Sequence, residues 1–286
     1  MSLVEYFTDP VLRAPTIGSL LMCLSASLVG VIVFLRRQSL IGEVLSHASY
    51  PGVILGITLI GSLSIDPEQQ LITLTIVLFC ASLTAWLGLK MIHWMTYRLK
   101  IRQDASLCFT LSTFFGVGLC LASEIQFAYP SFYKQVLSFL FGQVATMTEI
   151  HVMAYTLLAV VVCGVIFSFY KELKVTLFDR HLAKSLGLNV GLIDEIVTIL
   201  IVIAVVAGIR SVGVVLMAAM LIAPAIAARQ YTHSLSTLFI LSGIFGLISG
   251  FGGTYLSFEF SMYWGSALNQ LFSFPSGPMI VLTASL

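Results

Sequence analysis

The sequence predicts an all-α polytopic membrane protein with about eight to nine transmembrane helices, built as a single domain over residues 1–286. Composition is the first observation behind that fold class. Hydrophobic residues make up 58% of the chain, charged residues 9%, and the mean hydropathy is +1.02, whereas an average soluble domain carries roughly 25% charge. Spacing is the second, because the apolar residues gather in runs of about the 20 residues that a helix needs to cross hydrocarbon. The third is that basic residues follow alternate runs.

The runs fall at residues 17–35, 40–63, 71–90, 105–122, 151–169, 192–209, 212–228, 235–256 and 275–286. The last holds only about 12 residues, about 18 Å of helix against a core of roughly 30 Å. Arg36 and Arg37 follow the first run; Lys90, Arg98, Lys100 and Arg102 the third; Lys171, Lys174, Arg180 and Lys184 the fifth; and Arg229 the seventh. If every run crosses, these residues share one side. By the positive-inside rule that side is the cytoplasm, and the N-terminus is outside. The opening MSLVEYFTDPVLRAP carries acids and prolines, unlike the basic start of a cleaved signal peptide.

Two connecting segments carry pattern of their own. Residues 123–150 hold the apolar run VLSFLFG, too short to span, which predicts a re-entrant or interfacial segment with Phe139 to Gly142 at membrane depth against protein. Residues 171–191 form the longest charged cytoplasmic segment. There Asp179 is placed to cap a short helix that stops at Gly187, with Leu182 and Leu186 four apart on one face. The mixed charge of that helix disfavours pure lipid binding and suits a protein-docking surface.

Several function classes are excluded. A net charge of +1 suggests no nucleic-acid partner. Cys23, Cys80, Cys108, Cys120 and Cys163 lie in apolar runs without CxxC spacing and read as packing residues. No HExxH, GxSxG or GxxxxGK[ST] occurs, so no catalytic residue is assigned and any ATPase must be a separate chain.

The stretch GEVLSHASYPG puts Glu43 and His47 at i and i+4, on one face of a span, with Ser46 beside them. Pro51 follows and frees a backbone carbonyl. A capping carboxylate and a hydrogen-bonded histidine would be the plain explanation. Ionisable groups within a span are costly, however, and by default mark a pathway. A carboxylate oxygen with an imidazole nitrogen suits divalent Zn, Mn or Fe, where Mg or Ca would prefer oxygen alone. Asp194 and Glu195 project about 100° apart; one of them lining the cytoplasmic exit competes with both being helix-start acids at the aqueous edge. His151, beside Glu149 at the outer start of the fifth run, is a further candidate for contact with incoming metal.

Five ordered motifs carry a resemblance. IGEVLSHASYPGV (41–53) resembles the second-span signature G-D-x-[LIM]-[SA]-H-A-x-x-[PL]-G of the membrane permease subunits of ABC-type zinc, manganese and iron importers. LSFLFGQVATMTEIHV (137–152) is similar to that family's external L-F-G segment, FDRHLAKSLGLNVGLIDEI (178–196) to its coupling region, and SVGVVLMAAMLIAPAIAAR (211–229) to its V-G-x-x-L-x-x-A-x-L-x-x-P-A-x-x-A-R span; FPSGPMIVL (274–282) completes the match. The chain has Glu43 where Asp is usual, and a longer stretch at 257–272 that adds Glu259, Tyr263 and Trp264.

The resemblance implies an ABC importer permease in a bacterial plasma (inner) membrane, surrounded by lipid. It would pair with a second permease, a copy or a paralogue, take its cargo from an extracytoplasmic metal-binding protein, and be driven by a cytoplasmic ATPase dimer. Glu43 and His47 would line the metal path. The coupling helix at about 178–188 would use Asp179, Leu182, Leu186 and Gly187. A divalent metal, Mn, Zn or Fe, would be transported, and no cofactor would stay bound. An ion-coupled secondary metal transporter is the alternative, but it would be expected to show matched inverted halves, and the sequence has no such repeat.

Overall fold

The computed structural model describes residue 6 and residues 9–62, 70–128, 130–268 and 274–286. They form twelve α-helices: α1 (Pro10–Leu35), α2 (Ile41–Ser62), α3 (Gln70–Tyr97), α4 (Gln103–Ala128), α5 (Pro130–Phe141), α6 (Glu149–Ser168), α7 (Tyr170–Phe178), α8 (Arg180–Ser185), α9 (Val190–Val212), α10 (Met217–Tyr231), α11 (Leu235–Leu268) and α12 (Ser276–Ser285). One 3-10 turn, Val144–Thr146, joins α5 to α6, and no strand occurs among the described residues. The fold class is the predicted one, a multi-pass helical membrane protein.

Seven of these helices are long and apolar enough to cross a bilayer: α1, α2, α3, α4, α6, α9 and α11. These seven candidate spans stand beside an expected count of about eight to nine, because two apolar runs give short helices. α10 has 15 residues, about 22 Å, and α12 has 10, about 15 Å. The run at 212–228 loses helix at its start, where Gly213 adopts a φ of 96° and residues 213–216 leave the helix. α11 goes the other way. At 34 residues, about 51 Å, it absorbs residues 257–268 as a continuation of its own span, with Tyr6 Oη–H donating to Glu259 at 3.3 Å. Residues 269–272 of that stretch lie outside the described residues.

Helices α1 and α2 form the centre. α2 packs against α3, α4, α5, α9 and α10, and α1 against α6, α9, α10 and α11. Of the apolar window in α2, 78% is buried, against 28% in α3 and in α4, which therefore form the outer layer here. Small residues make the central contacts close, as expected where helices associate in lipid by fit. Ala48, Gly52 and Gly56 recur every four residues on α2. They meet Gly88, then Ala81 with Thr84, then Val77 on α3, and a Cβ on Gly52 would overlap the Cys80 carbonyl. Gly246 and Gly250 of α11 seat against Cys23, Ser27 and Ser19 of α1, while Gly253 seats against the backbone of Ile280 in α12. Hydroxyls lock the α1–α11 contact: Ser19 Oγ–H donates to the Gly250 carbonyl at 3.3 Å and Ser242 Oγ–H to that of Ser27 at 3.0 Å.

At one end of the bundle three backbones meet on three glycines. Gly142 follows α5, Gly213 follows α9 and Gly277 opens α12, and a Cβ on any of them would collide with main chain of the other segments. Amides freed by the turns find partners across the junction: Gln143 N–H donates to the Arg210 carbonyl at 3.1 Å, Val214 N–H to that of Phe139 at 3.2 Å, and Val144 N–H to Ser276 Oγ at 3.1 Å. Phe139 is 5% exposed and Phe141 is 55% exposed, so the VLSFLFG run buries one side on protein as its non-spanning length requires.

At the opposite end α1 closes with Arg37 at a φ of 55°. Gln38 N–H returns to the Val33 carbonyl at 3.2 Å and Arg37 N–H to that of Phe34 at 3.0 Å, the pairing usually made with glycine in Arg37's place.

Gly52→Val is expected to lower the stability of the purified chain by about 1–3 kcal/mol, because its side chain would enter the α2–α3 seam. Gly116→Ala meets open space and is expected to be neutral or stabilising by up to about 1 kcal/mol. Thermal unfolding in detergent of the two variants beside wild type checks both.

Candidate functional site

Glu43 and His47 sit in the first two turns of α2, and the central position of that helix accounts for their burial. Gly42 fits against Leu221 and Ala218 of α10, while Val44 packs with Ile92 and Leu107 of α3 and α4. His47 is 8% exposed and meets the ring of Phe115 on α4 edge-on, with centroids 4.8 Å apart. Its Nδ1 lies 2.8 Å from the carbonyl oxygen of Glu43. A carbonyl only accepts, so Nδ1 carries a proton, and in the neutral ring the lone pair stands on Nε2. Ser46 Oγ–H donates to the same carbonyl at 2.9 Å, fixing the turn from which the Glu43 side chain projects. The Glu43 carboxylate is half-buried and has no side-chain partner among the described residues. Pro51, four residues after His47, has no N–H to give to the His47 carbonyl. One turn of helix thus presents a carboxylate, an imidazole Nε2 and a carbonyl oxygen released from the helical ladder. These are donors suited to a borderline divalent metal. Among the described residues no three His, Cys, Asp or Glu side chains come together, so the pair is an open set and not a closed cage.

The remaining predicted residues separate from this pair. His151 closes a capping box at the start of α6: Thr148 N–H donates to its Nδ1 at 3.3 Å and Thr148 Oγ1 lies 2.8 Å from it. Its Nδ1 lone pair is occupied by the helix cap, and the T-x-x-H spacing is the local signal for that role. Asp194 lies at the basic end, bridged to Arg36 at 2.7 Å and to Arg180 at 3.4 Å, while the adjacent Glu195 is exposed. Arg36 is the residue that sequence reasoning missed as a partner. Following α1, it looked like one more charge of the basic side.

The short helix α8 takes the predicted form. Asp179 accepts from the amides of His181 at 2.9 Å and Leu182 at 3.0 Å. Gly187 stops the helix with a φ of 76°, and Leu188 N–H returns to the Ala183 carbonyl at 3.1 Å. Leu182 is 49% and Leu186 61% exposed while Ala183 is fully buried, so α8 is held by one side and shows two leucines on the other.

Comparison with known proteins places this arrangement. A model described as the ABC 3 transport family matches residues 8–286. The chain is 35% identical over 286 residues to a "Probable metal transport system membrane protein" of Chlamydia pneumoniae, covering 98% of this chain and 62% of that protein. It is 34% identical to the zinc transport system membrane protein TroC of Treponema pallidum, covering 98% and 88%. To the manganese transport system membrane protein MntC of Bacillus subtilis it is 35% identical, covering 94% and 57%. It thus spans less than two thirds of two of these three relatives. PsaBC from Streptococcus pneumoniae, solved in complex with a Fab, superposes with a TM-score of 0.80 at 27% identity, covering 99% of this chain and 91% of that one.

The hydrogen bond from Leu182 N–H, with that from His181, holds the Asp179 carboxyl below the ordinary carboxylate range. A carboxyl whose folded value lies below its unfolded one, near 3.9, stabilises fully above that unfolded value and loses the effect as pH falls through the lowered one. Exchange protection of the His181 and Leu182 amides, corrected for intrinsic rates, is expected to hold from about pH 7 to pH 5 and to collapse toward pH 3. In Asp179→Asn that pH step should vanish.

Proposed function

Because this chain belongs to the ABC 3 transport family, we propose that it is the membrane permease of an ATP-driven importer for a divalent transition metal, manganese, zinc or iron. The observation that carries this reading is the Glu43–His47 turn: an ionisable pair, with Nδ1 of His47 held by the Glu43 carbonyl, Nε2 left for another partner and the His47 carbonyl released by Pro51, inside the most buried of the candidate spans. Relatives named for zinc and for manganese transport support the cargo class. Water and a facing second permease supply the other coordination positions. An incomplete donor set from one chain suits a path, since a metal held by a full cage would not leave it.

The path works by alternating access. Arg36, Arg180 and Asp194 put the end of α1 and the starts of α8 and α9 at one end of the bundle. We assign that end to the cytoplasm from its basic residues, which puts the N-terminus outside in a bacterial plasma membrane. Glu43 and His47 then stand toward the release side, and cargo delivered by an extracytoplasmic metal-binding protein reaches them late. The chain lacks a phosphate-binding loop, so the driving ATPase is a dimer of separate chains that docks on Leu182 and Leu186 of α8.

ATP-dependent uptake of radiolabelled manganese, zinc and iron into proteoliposomes holding this chain with its ATPase and binding protein tests the reading. Wild type is expected to carry at least one metal, and His47→Ala to abolish that flux while leaving the complex assembled; wild-type uptake by the variant would refute the path. Leu182→Asp is expected to release the ATPase in detergent, whereas co-purification at normal stoichiometry would remove α8 as the docking element.

A further inference from the structure

Asp194 is the point at which three segments are tied by charge. Its Oδ1 lies 2.7 Å from Nη2 of Arg36, whose side chain is 9% exposed, and its Oδ2 lies 3.4 Å from Nη2 of Arg180, whose side chain is 58% exposed. Oδ1 also accepts from Nη2 of Arg180 at 3.4 Å, so it is shared by the two arginines, with the shorter contact to Arg36. The two links differ in kind. Arg36 follows α1 directly, immediately before the left-handed Arg37, and its Nε is buried with no partner among the described residues. A guanidinium in that position cannot be parted from the one carboxylate that pairs with it among the described residues without leaving a buried charge uncompensated, so Arg36 and Asp194 move as a unit. Arg180 opens α8, reaches Asp194 from the solvent side by a longer contact, and can release it at little cost.

We propose that Asp194 is the positioning residue that transmits movement of α8 to α1, with Arg180 as the separable arm and Arg36 as the permanent one. The inference rests on the reading of α8 as the ATPase contact and adds the route by which its displacement reaches the membrane. α1 is the right recipient, because it packs against α6, α9, α10 and α11 and carries them with it. α9, which bears Asp194, packs against α2 as well, so the same carboxylate also reaches the helix that holds Glu43 and His47. Asp194 touches no cargo on this account; it acts through the helices it joins.

The test uses the assembled importer in proteoliposomes, with the metal that wild type carries as the probe. Asp194→Asn strands Arg36 and risks the fold, so the informative variants are Arg180→Gln and Arg180→Lys. Arg180→Gln is expected to keep the ATPase at wild-type stoichiometry while metal imported per ATP hydrolysed falls at least about fivefold, which is about 1 kcal/mol of coupling. Arg180→Lys is expected to restore most of the ratio, a recovery that a merely structural role would not produce. An unchanged ratio in Arg180→Gln overturns the proposal, and so does loss of the ATPase from that variant, which would make Arg180 a docking residue. Absence of uptake by wild type is a separate result: it strikes the permease reading itself and removes the inference with it.

Discussion

An N–H or C=O left unpaired in hydrocarbon is costly enough that each departure from helix inside a bilayer must find partners on neighbouring protein. That constraint shapes this bundle. The turns after α5 and α9 supply one another with carbonyl acceptors, and Ser276 at the start of α12 accepts the amide of Val144. Glycine at 142, 213 and 277 is what lets three main chains come close enough to do so. The same constraint explains why Pro51 matters: the His47 carbonyl it releases lies inside a buried helix, where an unpaired acceptor is costly.

Close approach is the second theme, and it sets where motion is possible. The α2–α3 seam and the α1–α11 contact are lined by residues without room for a methyl group, so these pairs behave as stiff units. Stiff pairs joined at few points can rock against one another, which is the mechanical requirement of alternating access. The Arg36–Asp194–Arg180 cluster is a joining point of this kind, with one buried link and one exposed link. Charge does at that end what shape does in the middle.

Chemistry in the candidate path follows from local geometry. Glu43 uses its carbonyl to hold the His47 ring and keeps its carboxylate for other partners. His151 shows the converse. It is as buried as His47, yet its Nδ1 accepts from the capping amide of Thr148. Two histidines in similar surroundings both meet the backbone through Nδ1 and are told apart by whether that nitrogen donates, as to the Glu43 carbonyl, or accepts, as from Thr148 N–H.

Sequence by itself determined what is local or compositional. The membrane class follows from mean hydropathy, the shared face of Glu43 and His47 from a spacing of four, and the Asp179 to Gly187 helix from its own cap and stop residues. Each of these depends on contacts a few positions away. Tertiary structure alone decided the rest. The run at 212–228 is apolar enough to look like a crossing helix, but its first residues are drawn into a junction with a segment about 70 positions earlier. For Asp194 the sequence offered either a cytoplasmic-exit residue or a helix-start acid, and only folding brought Arg36 to it from across 158 positions. The physical reason is the same in both cases: a polar group withdrawn wholly or partly from water takes whichever partner the fold delivers, and separation along the chain does not say which that will be.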